Sequence, residues 1–107
     1  MYIRVKNSLT DSNDHDLRAH AQRRLSFSLA RLTDHIRSVS VQLRDVNGPR
    51  GGIDKSCTVH VQLAKAPPVI IKDQDCDPLM LIDRVAERTG YAALRTLRRQ
   101  QLRAPMA

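Results

Sequence analysis

Val39, Val41 and Leu43 alternate with Ser38, Ser40, Gln42 and Arg44, and Cys57, Val59, Val61 and Leu63 alternate with Ser56, Thr58, His60 and Gln62. A period of two places the apolar side chains on one face of an extended strand and the polar ones on the other. A sheet built from such strands is wet on one side and needs cover on the other, so the chain must also supply the cover. Two stretches answer that need. Leu17, Ala21, Leu25, Leu29, Leu32 and Ile36 recur at spacings of three or four, which predicts an amphipathic helix of about five turns. Leu79, Ile82, Ala86, Gly90, Ala93 and Leu97 mark a second helix running to about Leu102.

The remaining elements fall between these. Tyr2-Ile3-Arg4-Val5-Lys6 alternates as a short first strand, and the polar stretch 7–16 is rich in helix-capping types. Pro68–Lys72 reads as a fourth strand after a turn at Ala66-Pro67, and Asp77-Pro78 is a cap followed by proline at the first helical position. The order is β-α-β-β-β-α, without repeat, linker or low-complexity tract. It predicts one two-layer α+β domain over 1–107, with an ordered core of about 2–102 and a four-stranded sheet carrying both helices on one face. The first βαβ step would be a right-handed parallel crossover and the later strands antiparallel hairpins. With one Phe, two Tyr and no Trp, the core has to be aliphatic.

The charge is lopsided. Net charge is +7, with fourteen Arg, four Lys and a single Glu. Arginine suits planar, bidentate phosphate recognition, and a surplus of this size points to a polyanionic partner, most simply nucleic acid. Projected around the first helix, His20, Arg23, Arg24, Phe27 and Arg31 fall opposite the apolar stripe; on the second, Arg84, Arg88, Tyr91, Arg95, Arg98 and Arg99 do. A solvated helix face usually mixes signs at four-residue spacing, whereas Arg84/Arg88 and Arg95/Arg99 repel, so something outside the fold is expected to compensate them. Phe27 and Tyr91 stand among these arginines, either to stack on bases or to flank the core. A polyanion held this way binds through its phosphates, with affinity falling as salt rises.

Chemistry is harder to find. DVNGPRGGIDKSC (45–57) resembles a phosphate loop at first sight, but Asp54 precedes Lys55-Ser56 where a P-loop needs Gly, and a strand follows where it needs a helix. The stretch reads as a strand connection, either a plain solvated hairpin, the favoured reading, or one whose Arg50 and Lys55 make secondary loop contacts to RNA. Cys57 and His60 fall on opposite strand faces, so Cys57, His60 and Cys76 do not make a zinc site, and both cysteines read as small buried hydrophobes in reduced form. Asp77 is a cap, and Asp73 and Asp75 read as turn residues. No catalytic constellation, metal site, cofactor or small-molecule substrate is expected. Neither a membrane span nor a signal-peptide run is visible, and a cytoplasmic monomer is the expectation.

Two stretches, LRAHAQRRLSFSLARLTDHIRSVSVQL (17–43) and DQDCDPLMLIDRVAERTGYAALRTLRR (73–99), together with the connecting loop, resemble the ribosome-hibernation family of short hibernation-promoting factors and ribosome-associated translation inhibitors. The first carries an Arg-Leu step running to Asp34-His35-Ile36 before the second strand, and the second opens its helix on Leu81-Ile82-Asp83. The resemblance implies a fold akin to double-stranded-RNA-binding domains. It also implies docking on ribosomal RNA in the decoding channel of the small ribosomal subunit, restraining translation by occupancy. Its basic positions would be Arg18, Arg24 and Arg31 on the first helix, and Arg84, Arg88, Arg95, Arg98 and Arg99 on the second. The residues alone leave open a binder of structured RNA unconnected with ribosomes, or a basic module for an acidic protein.

Overall fold

The computed structural model describes residues 2–9, 14–46 and 55–103. Strand β1 is Ile3–Ser8, helix α1 Asp14–Ser28, β2 Ile36–Asp45, β3 Lys55–Leu63, β4 Val69–Asp75 and helix α2 Pro78–Arg103, with a 3-10 segment Ala30–His35 between α1 and β2. The sheet order is β1-β2-β3-β4. β1 and β2 pair in parallel, and β2–β3 and β3–β4 are antiparallel, the α+β arrangement expected from the alternation.

The alternation translates directly into a core. Val39, Val41 and Leu43 of β2 and Cys57, Val59, Val61 and Leu63 of β3 are buried beneath the helices. Leu17, Ala21 and Leu25 come down from α1 and Leu29 from just past its end, and Leu81, Ile82, Val85, Ala86 and Ala93 from α2. Each fully buried Leu, Ile or Val stabilises the fold by about 1.5–3 kcal/mol relative to exposure. The core is aliphatic, as the composition requires.

The first helix is shorter than its hydrophobic repeat. Leu29 N–H donates to Leu25 O, the last α-type step, and Leu32 N–H then donates to Leu29 O as the chain tightens. Ile36 is therefore the first residue of β2, not the last of a helix. A bulge at Arg37, between the pairs Ile36–Leu63 and Ser38–Gln62, brings both Ile36 and Val39 to the core face. A 3.6-residue period and a bulged strand both put residues three apart on one side, which is why the repeat seemed to continue.

On α2 the Asp77 carboxylate accepts from Leu79 and Met80 N–H at 2.9 and 3.4 Å, the cap its Asp-Pro signature predicts. The buried stripe begins at Leu81, and Leu79 is exposed in the first turn, contrary to the expected inward position. Cys57 is buried, but Cys76, expected to be buried too, lies exposed just past β4. Asp73 and Asp75 lie in β4, not in a turn.

α1 and α2 run side by side in the same direction: His20 and Arg24 meet Asp83, and further along Ser28 meets Gly90. A Cβ on Gly90 would lie 3.0 Å from the Ser28 carbonyl oxygen and 3.2 Å from the Ser28 Cβ. Gly90, which costs about 1 kcal/mol of helix propensity relative to Ala, thus lets α2 lie close against the end of α1.

Candidate nucleic-acid interface

The arginines of the helix layer separate into two sets. Arg84 is held by β4 through three consecutive residues: Nε donates to Asp73 Oδ2 at 2.7 Å, Nη1 to Asp75 Oδ2 at 3.0 Å and Nη2 to the Gln74 carbonyl at 3.1 Å. Arg88 Nη1 donates to the same Asp73 oxygen at 3.2 Å. The arrangement follows from β4's alternation. Val69 and Ile71 face α2, and the same face continues as Asp73 and Asp75 where the sheet runs out from under the apolar part of the helix.

The acids respond electrostatically. Arg84's hydrogen bond, then the Gln74 N–H, hold the Asp73 carboxyl below its ordinary value. The Asp77 N–H, then Arg84, bring Asp75 to about 2. Arg84 is pushed above the usual guanidinium value by Asp73 and then Asp75.

A second internal cluster joins the helices. His20 Nε2 lies 2.7 Å from Asp83 Oδ1. Arg24 Nε is 3.1 Å from the same oxygen but off the hydrogen-bonding axis, a charge contact whose N–H stays unsatisfied. His20 and Arg24, expected on the outer face, line this seam. Arg18 pairs with Asp14 one turn away at 3.0 Å.

The remaining arginines make no ion pair among the described residues. Arg23 reaches His20 Nδ1 at 3.4 Å, and Arg31, Arg95, Arg98 and Arg99 have no carboxylate of a described residue within ion-pair distance. Arg95, Arg98 and Arg99 share a shallow surface groove with Tyr91 and Leu94 on the outer side of α2. Tyr91 is 63% exposed and Phe27 79%, so neither ring flanks the core; both stand in solvent among cations. Of the two loop positions, Arg50 lies outside the described residues. Lys55 is not a loop residue: it opens β3 opposite Asp45, with Nζ 3.8 Å from Asp45 Oδ1.

Among the described residues, no group of three or more His, Cys, Asp or Glu side chains is arranged to hold a metal ion, and no helix is long and apolar enough to cross a membrane. What the described residues offer is an open surface of cations and two exposed rings.

These features define a small α+β domain with a half-covered four-stranded sheet and a cationic helix layer. The same fold occurs in a ribosomal subunit interface protein from Coxiella burnetii, at a TM-score of 0.67 and 14% identity over 94% of this chain and 99% of that one. It also occurs in the N-terminal domain of Protein Y from Thermus thermophilus, at a TM-score of 0.64 and 19% identity over 88% of this chain and 93% of that one. No protein-family model and no curated protein matches the sequence. The fold implied by the sequence resemblance is the fold observed.

Proposed function

We propose that this protein is a ribosome-associated factor that binds small-subunit ribosomal RNA through its helix layer and restrains translation by occupancy, without chemistry. The observation that carries the reading is the group Arg95, Arg98 and Arg99 beside exposed Tyr91, cations without an ion-pair partner among the described residues on one side of α2. A surplus of guanidinium groups beside a ring offers phosphate contacts and one stacking position, the two requirements of RNA binding without base-edge reading. The end-to-end fold likeness to a ribosomal subunit interface protein supports the ribosome as the source of that RNA.

Arg23 and Arg31 extend the cationic surface on the α1 side. Arg84 and Arg88 serve chiefly to fasten α2 to β4, and His20, Arg24 and Asp83 fix the spacing of the helices. The protein acts as a monomer in the cytoplasm on this reading. Sedimentation with ribosomes at low and high salt tests it: the protein co-migrates with the small subunit at low salt and is released as salt rises. Absence from the small-subunit fraction at low salt overturns the reading. Equal binding to arbitrary RNA hairpins and to ribosomes would instead make it a general structured-RNA binder.

A further inference from the structure

The face of the sheet turned away from the helices is cationic, and among the described residues no helix or strand packs on it, although Ser56 at one end of it is buried. Arg4 and Lys6 of β1, Arg44 of β2 and Lys72 of β4 all project from it and are exposed. Their direct cross-strand neighbours are Ser40, Gln42, Ser56 and Thr58, respectively. An acid at any of these four places would make a stabilising cross-strand pair, and each holds a neutral hydrogen-bonding residue. The chain has acids to spare: of its eleven, Asp11 and Asp54 fall outside the described residues. The other nine lie on the helices and their flanks or, like Asp45, Asp73 and Asp75, in the helix-facing rows. Among the described residues the helix layer is therefore the mixed-sign surface and the open sheet the single-sign one.

Geometry adds to charge. Arg4 and Lys6 stand about 7 Å apart along β1, and Lys6 and Lys72 end one row that crosses all four strands, about 14 Å across. Tyr2 continues the Arg4–Lys6 alternation onto the same face and is 65% exposed. A four-stranded sheet with an exposed ring and a border of cations is a known physical solution for single-stranded RNA, the ring taking a base and the cations the backbone.

We infer that the open sheet face is a second binding surface, for the phosphate backbone of single-stranded RNA with one base stacked on Tyr2. The two cationic surfaces point in opposite directions, so the protein can hold two RNA segments at once. This does not rest on the ribosome reading, and its test uses no ribosome.

The test is fluorescence titration of a labelled oligoadenylate of about 12 nucleotides, within single-domain site sizes, across a range of salt. Four proteins are compared: the unaltered chain, Lys6→Gln/Arg44→Gln/Lys72→Gln on the sheet, Tyr2→Ala beside it, and Arg95→Gln/Arg98→Gln/Arg99→Gln on α2. The sheet variant is expected to lower the slope of log K against log salt by about 2, as loss of three single-strand phosphate contacts requires. Tyr2→Ala is expected to weaken binding about tenfold with the slope unchanged. All these side chains are exposed, and an unchanged circular-dichroism spectrum and melting temperature confirm that the fold is retained. A sheet variant with the affinity and slope of the unaltered chain overturns the inference and leaves the α2 surface standing. A sheet variant that loses slope while the α2 variant does not would uphold it and displace the site proposed on α2.

Discussion

Replacing Gly90 by alanine sets two known effects against each other. In an open helix the change gains about 0.8–1 kcal/mol, because glycine is the poorer helix former. Here the new Cβ would lie 3.0 Å from the Ser28 carbonyl oxygen and 3.2 Å from the Ser28 Cβ, some tenths of an ångström inside ordinary contact. One of those atoms belongs to the backbone at the end of α1, so it cannot turn aside as a flexible side chain would. Overpacking of this kind costs about 1–3 kcal/mol. The net expectation for Gly90→Ala is a loss of about 1 kcal/mol, visible in urea unfolding as a lower midpoint at unchanged m-value. A domain of this size would melt about 4–8 °C lower. Gly90→Leu, which needs still more space, should lose at least about 3 kcal/mol. A gain of about 1 kcal/mol in Gly90→Ala would show that the helices do not meet at this point, and with it would go the account of how α1 and α2 are spaced.

The pH dependence of stability has a fixed sign. Asp73 and Asp75 have folded values below 3.8, Asp75 at about 2, so their contribution is fully present above about pH 4 and is lost as pH falls through the folded values. Asp75→Asn should flatten the acid limb of a pH–stability curve below about pH 4, and an unchanged limb would refute the hydrogen bonds that Asp75 accepts from the Asp77 N–H and then from Arg84. Burial raises the Cys57 thiol to about 12, whereas Cys76 is exposed. A thiol reagent near pH 8, where an ordinary cysteine is partly thiolate, should titrate one cysteine in the native protein and the second only on denaturation. Arg84→Gln should lower the melting temperature while leaving the salt slope of RNA binding nearly unchanged. Arg95→Gln/Arg99→Gln should leave stability alone and cut the slope by about 1.4–1.8; similar slopes for the two variants would contradict the division between held and free arginines.

The fold was legible because the strands are wet on one side. In β2 and β3 the period of two is unbroken from the pair Ser38–Gln62 onward, past the bulge at Arg37, and the register Val39–Val61, Val41–Val59, Leu43–Cys57 follows from keeping those residues on one face. The end of the first helix was not legible, since Leu32 and Ile36 keep helical spacing across a 3-10 segment and a bulge. Leu79 misled in the same way: the capped first turn turns it outward, and the stripe that seats α2 starts two residues later at Leu81.

The site was legible by composition and not by position. A helical projection sorts residues by angle and says only that Arg84, Arg88, Arg95, Arg98 and Arg99 lie away from the core; it cannot say what stands opposite them. The missing partner was a strand read too short. Had the alternation Val69, Ile71 been continued by two more steps, Asp73 and Asp75 would have fallen on the helix-facing side, within reach of the first outward arginines of α2. The same parity rule places Tyr2, Arg4 and Lys6 together on the opposite face. Charge in this protein is therefore arranged by the strands as much as by the helices. β4 draws two of the helix arginines into the fold, and the acids absent from the outer rows leave the open sheet with a positive field that nothing among the described residues offsets.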